Sequence, residues 1–255
     1  MAKHYKVLIL VFLSFIGLYY AFESIEFSEL YHHIISVNFF KLALAISILM
    51  LSCIIRAKRL KYIISPLDID ISTHHLFGAT MIGYFGNGIL FFRLGELLKA
   101  FSISQGNNIK TSESFGVVML ERVIDALTVF ILIVFFLPFI PLENQTIRYW
   151  VIAFGAVTFI LVSVLILLRF INWKRIVLSF IFLNKSIKDK IIVIVDKIFK
   201  GLELIFKTKH FLKIMLCTIL IWICYFVMTM WLLESCHIEL SLHKVFIMLL
   251  MGAII

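Results

Sequence analysis

The chain has 255 residues, of which 62% are hydrophobic and 15% charged, with a mean hydropathy of +1.07. A soluble domain has roughly half its residues apolar and about a quarter charged, so this composition excludes one and requires lipid as solvent. The net charge of +9 does not indicate nucleic acid, because the Lys and Arg fall in short stretches between apolar blocks, where they encode topology and meet anionic lipid.

The apolar blocks have the length of membrane-crossing helices, about 17 to 25 residues, and lack the short alternating strands of an outer-membrane barrel. They predict an all-α fold: a polytopic transmembrane helical bundle forming a single integral membrane domain over residues 1–255. Lys3 and Lys6 precede the first block, Val7 to Phe22. No small-residue cleavage site precedes Glu23, Glu26 and Glu29, so a retained helix is expected rather than a signal peptide. Further spans are predicted at Phe39 to Ile55, Phe115 to Leu137, Tyr149 to Leu168 and Phe211 to Leu233. The positive-inside rule puts Lys3, Lys6, the run Arg56, Lys58, Arg59 and Lys61, and the region Arg169 to Lys213 on the cytoplasmic side. The loop with Glu23, Glu26 and Glu29 and the loop Pro141 to Arg148 then lie outside. The expected location is the cytoplasmic (inner) membrane, multi-pass, with a cytoplasmic N-terminus.

A weaker apolar segment, Leu76 to Phe92, has basic residues on both sides and so begins and ends on the same face of the membrane. Gly78, Gly83, Gly86 and Gly88 weaken it further, each by about 1 kcal/mol relative to alanine. A re-entrant helical hairpin is predicted over about residues 76–101, turning near Gly86-Asn87-Gly88 and returning through Arg93 to Phe101. Irregular backbone at membrane depth is tolerated where it lines a cavity or is buried in protein. Downstream, Ile191, Ile194, Ile198, Leu202 and Ile205 form one stripe opposite Lys188, Lys190, Lys197, Lys200 and Glu203. This predicts an amphipathic helix over 187–206, lying on the inner leaflet or against the bundle, or serving as a solvated connector. The last apolar stretch, Val245 to Ile255, is too short to span, and the chain is expected to be C-terminally incomplete.

Glu121, Arg122 and Asp125 lie within a predicted span, with Asp125 near the midplane. Each charge near a helix centre costs about 2.5 to 3.5 kcal/mol to insert, so the three must face protein or water. Glu121 and Asp125 share a helix face and repel one another, which calls for a cation from elsewhere. Arg93, with Glu96 one turn on, is the first candidate, and Arg56 and Arg59 are the next. A structural clasp fixing helix packing is the alternative to a functional site.

Weaker signals are Asp68-Ile69-Asp70, which reads as a turn or cap in preference to a metal site, and the adjacent pairs His32-His33 and His74-His75, whose side chains diverge on a helix. Trp150, Trp173, Tyr19, Tyr20 and Tyr149 read as interfacial aromatics. Cys53, Cys217, Cys224 and Cys236 have no CxxC spacing and read as small buried residues. Neither a cofactor nor a metal is expected, and no catalytic motif is present.

The run Asn87-Gly-Ile-Leu-Phe-Phe-Arg93-Leu-Gly95-Glu96-Leu-Leu-Lys99, then Glu121-Arg122-Val-Ile-Asp125, resembles the lysylphosphatidylglycerol synthase transmembrane-region family, also called flippase-like domain proteins. Arg56 and Arg59 resemble its R-x-x-R. Phe91 stands where the family usually has proline, and Lys99 where it usually has arginine. The resemblance implies movement of an amphiphilic lipid between leaflets, without aminoacyl transfer, so no enzyme activity is expected. It also implies that Arg93 and Arg122 hold a phosphate. Glu96, Glu121 and Asp125 would balance charge or meet an amine, Asn87 and Gly95 would shape the tip, and Arg56, Arg59 and Lys99 would complete the headgroup path. Expected partners are membrane lipids, either an anionic phospholipid or a lipid-linked intermediate. Nucleic acid is not expected, and a homo-oligomer is left open. The alternatives are an accessory protein or glycosyltransferase-like enzyme acting on lipid-linked sugars in envelope biosynthesis, or a non-transporting membrane scaffold.

Overall fold

A computed structural model describes residues 31, 34–90, 94–136 and 204–254, with isolated positions at 145, 148–149, 152–153 and 155–156. The expected span at 7–22, His32 and His33, and Arg93 lie outside the described residues. So do most of the span at 149–168 and most of the amphipathic segment at 187–206. Among the described residues all regular structure is helical.

Helix α1, Phe39–Ile64, starts at Asn38, whose side chain accepts a hydrogen bond from the Lys41 backbone N–H at 3.1 Å. It runs nine residues beyond the predicted Ile55 before Ser65–Leu67, with Pro66, tightens into a 3-10 turn. The extension follows from Arg56, Arg59 and Leu60 being buried, so helical packing continues past the apolar run. Asp68 closes the 3-10 turn through its backbone N–H in the left-handed region at φ 54°, and the Asp70 carboxylate pairs with Lys61 at 2.9 Å.

Helix α2, Thr73–Ile89, is capped by Ser72, and α3, Gly95–Ser104, returns against it. The expected turn at Gly86-Asn87-Gly88 is absent, because α2 continues through these residues to Ile89. Gly83, Gly86 and Gly95 serve close packing instead. A Cβ on Gly86 would come within 2.8 Å of the Gly95 Cα, and one on Gly95 would overlap the Gly83 carbonyl oxygen and Asn87. Small residues let two helix backbones approach in this way, which offsets the propensity lost to glycine. At the far end His75 Nε2 sits 2.8 Å from the Ser102 carbonyl oxygen, tying the start of α2 to the end of α3.

Helix α4, Thr111–Phe136, is as long as α1, with 26 residues each. Helix α5, Phe211–Ser235, packs antiparallel to α1, since Lys41 meets Glu234, Arg59 meets Thr218 and Tyr62 stacks on His210. A shorter helix, α6 (Leu242–Ile254), follows. By length and apolarity, α1 and α5 can cross a membrane. Helix α4 matches them in length, at about 39 Å for 1.5 Å per residue, but carries Glu121, Arg122 and Asp125.

One core, including Leu60, Ile63, Leu76, Ile103, Val117 and Ile214, joins α1 to α5 at the end of the bundle where α1 stops. A second, built on Val129, Ile133, Trp222 and Leu250, joins α4, α5 and α6. Large apolar side chains elsewhere face outward, among them Phe40, Phe135 and Leu212, as lipid-facing helices require. Cys53, Cys217 and Cys224 are buried and unpaired, and Cys236 is exposed.

Candidate functional site

The charged residues singled out in α4 meet partners from α1 and α3. Arg56 and Arg59, three apart, project from one face of α1, while Glu121 and Asp125, four apart, project from one face of α4. Two guanidinium groups therefore lie against two carboxylates. Arg56 Nη1 donates to Glu121 Oε1 at 2.9 Å and to Asp125 Oδ2 at 3.1 Å. Arg59 Nη2 donates to Glu121 Oε1 at 3.2 Å, and its Nη1 pairs with Asp125 Oδ1 at 2.7 Å. Arg59 also donates to Thr218 of α5.

Lys99, from α3, donates to the other Glu121 oxygen, Oε2, at 2.6 Å. Gly83 makes room for it, because a Cβ there would stand 3.1 Å from the Lys99 Cβ. Glu121 and Arg59 are fully buried, and Arg56 and Lys99 nearly so. Burying such groups costs several kcal/mol per ion, and only close mutual pairing offsets that.

Arg122 leaves α4 on a different face and keeps 37% of its side chain exposed, but its guanidinium reaches back to the cluster. Its guanidinium lies 3.5 Å from Glu96 of α3, 3.5 Å from Glu121 and 3.7 Å from Asp125. Glu96 also accepts a long hydrogen bond, 3.5 Å, from Asn87 Nδ2. Among the described residues, the cluster sets four cations, Arg56, Arg59, Lys99 and Arg122, against three carboxylates, Glu96, Glu121 and Asp125. One positive charge is in excess. The Nε atoms of Arg56 and Arg59 are buried without a hydrogen-bond partner.

The structure thus brings together Arg56, Arg59, Asn87, Glu96, Lys99, Glu121, Arg122 and Asp125, with Gly95 at the contact of α2 and α3. Asp125 is met by Arg56 and Arg59, which were second to Arg93, because the i,i+3 pair on α1 matches the i,i+4 pair on α4. Arg93 lies outside the described residues.

Two further residues, neither of them singled out in the sequence, join the cluster. Arg56 Nη2 donates to the Tyr225 hydroxyl at 2.8 Å, and the Tyr84 hydroxyl lies 3.2 Å from that of Tyr225. The one sequence signal was position: Tyr225 stands in the middle of an apolar span, whereas tyrosine ordinarily sits at span ends.

The family model described as the lysylphosphatidylglycerol synthase TM region matches residues 6–255. The chain belongs to this family. No curated protein and no solved structure matches it. Membership extends the resemblance from the motifs between Arg56 and Asp125 to nearly the whole chain, and makes this a membrane protein of a lipid-related family. Lys99 presents a single ammonium, which makes one short bond to Glu121 where a guanidinium fork could make two.

Proposed function

We propose that this protein binds an anionic or zwitterionic (glyco)phospholipid by its phosphate and moves the headgroup through the charged region between the α2–α3 pair and α4, while the acyl chains stay in lipid. The observation that carries the reading is that, among the described residues, the cluster sets four cations against three carboxylates, with Arg56, Arg59, Lys99 and Glu121 buried. An uncompensated cation within a bilayer is costly, and a lipid phosphate is the counter-ion that the surroundings supply in abundance. A guanidinium fork suits a phosphodiester as well as it suits a carboxylate.

In this reading the α2–α3 pair is a re-entrant hairpin, and the protein lies in the cytoplasmic membrane with its N-terminus inside. The charge distribution supports that orientation: Lys58, Lys61, Lys207, Lys209 and Lys213 gather where α1 ends and α5 begins, and Lys41 and Glu234 pair at the other end. The protein carries headgroups without transferring aminoacyl groups. The cluster stands about 12 Å inside the basic end of α1, counting 1.5 Å per residue from Ile64 back to Arg56.

The extent of mutual pairing favours one other reading, a scaffold whose charges fix helix packing and move nothing. A leaflet-accessibility assay separates the two. The full chain is reconstituted in vesicles with labelled lipids of several headgroups, and wild type is compared with Arg93→Ala and Asp125→Asn. The transport reading expects altered movement of phosphate-bearing lipids in both variants. Unchanged movement of every lipid in both variants would leave the scaffold.

A further inference from the structure

We propose that Tyr84 and Tyr225 form a lateral portal through which a phospholipid phosphate reaches Arg56 from the bilayer between α2 and α5. The inference rests on the headgroup reading above and names where that headgroup enters.

Arg56 is 4% exposed, yet it stands one side chain behind the surface. The Tyr225 hydroxyl bridges outward from it, 2.8 Å from Arg56 Nη2 and 3.2 Å from the Tyr84 hydroxyl. Both rings flank the guanidinium, with centroids 6.0 Å from its carbon. Tyr84 itself is 37% exposed, among outward-facing Ile82, Phe85 and Ile223. This is a lipid-facing surface, and Tyr225 lies about 21 Å along α5 from Phe211 at 1.5 Å per residue, far from either end. Tyrosine hydroxyls favour the wet interface, so two of them at this depth on an apolar surface lack the usual reason for being there.

The seam they close is weak in other respects. Apart from this hydroxyl contact α2 and α5 share little packing, because α2 is held by α1 and α3, and α5 by α1 and α6. Separating the two rings breaks one neutral hydrogen bond and uncovers a cation whose Nε has no partner. A phosphate entering there replaces the Tyr84 hydroxyl as partner of Tyr225 and gains Arg56 behind it.

The test uses the full chain with Cys53, Cys217, Cys224 and Cys236 replaced by serine, carrying Tyr84→Cys and Tyr225→Cys. The two thiols are bridged by a flexible bis-methanethiosulfonate, and movement of fluorescent phosphatidylglycerol is followed in vesicles. The bridged form is expected to move the lipid at least about tenfold more slowly than the same protein after reduction. Equal rates at full bridging, with Arg56→Gln inactive in the same assay, overturn the portal and leave the headgroup reading standing. Arg56→Gln moving the lipid at the wild-type rate overturns both. Should the double-cysteine protein be inactive when reduced, Tyr84→Phe decides. Loss of its hydroxyl loosens the seam without touching Arg56, so faster movement is expected, and an unchanged or lower rate contradicts the portal.

Discussion

Lys99 and Glu121 are joined by a 2.6 Å hydrogen bond with both side chains buried, and this bond connects the α2–α3 pair to α4. The second Glu121 oxygen is shared by Arg56 and Arg59 of α1. Glu121 is therefore the residue at which three separate helical elements are held to one point.

Removing that carboxylate strands the buried Lys99 ammonium and leaves Arg56 and Arg59 to share Asp125. Glu121→Gln is expected to destabilise the protein by about 3 to 5 kcal/mol, the cost of breaking a buried ion pair from one side. Lys99→Met alone leaves Glu121 with its arginines and should cost less. Adding Lys99→Met to Glu121→Gln should recover part of the loss, since one stranded charge is then gone. Thermal unfolding of the three variants in detergent measures this. A Glu121→Gln protein as stable as wild type would mean that the pairing is not what holds the helices.

The glycines of the α2–α3 pair divide by position. Gly95→Ala puts a methyl group against the Gly83 carbonyl oxygen and Asn87, so the two helices must move apart. Gly78 and Gly88 have open space around the corresponding position, and alanine there should stabilise α2 by up to about 1 kcal/mol. Unfolding midpoints should therefore fall for Gly95→Ala and rise or hold for Gly78→Ala and Gly88→Ala. The opposite order would contradict the close approach of α2 and α3.

The ion pair at the other end of the bundle should behave differently. Lys41 and Glu234 meet at 2.8 Å with more than a third of each side chain exposed. Such pairs contribute about 0 to 1 kcal/mol. Lys41→Ala is expected to leave the unfolding midpoint within that range, and a loss as large as that of Glu121→Gln would show that this end of the bundle is also held by charge.

Much of the site was legible in the sequence, for a reason that bilayer physics supplies. Three charges in α4 demand buried partners, and the i,i+4 placement of Glu121 and Asp125 requires a shared cation. What spacing along one chain does not specify is which cation arrives, because that depends on how helices distant in sequence are rotated against each other. Spacing put Arg93 ahead of the pair Arg56 and Arg59, and it is this pair that the described residues place against both carboxylates. The glycines misled in a similar way: their low helix propensity suggested a turn at Gly86-Asn87-Gly88, but Gly86 is used for close packing against Gly95 and α2 runs on to Ile89. Tyr84 and Tyr225 were overlooked because tyrosines near membranes are ordinarily interfacial, and their contact joins residues 141 apart in sequence.

The central claim is that the excess positive charge of this cluster holds a lipid phosphate, and Arg122 tests it most directly because it is the partly exposed cation of the set. Native mass spectrometry of wild type and Arg122→Gln, each released from membranes of the same phospholipid composition, compares the phospholipid retained per chain, with unfolding midpoints measured alongside. Arg122 is more than a third exposed and its carboxylate contacts are long, 3.5 Å or more, so the midpoint should stay close to that of wild type. The account predicts that wild type retains a bound phospholipid and that Arg122→Gln loses most of it. Equal retention by the two proteins would contradict it.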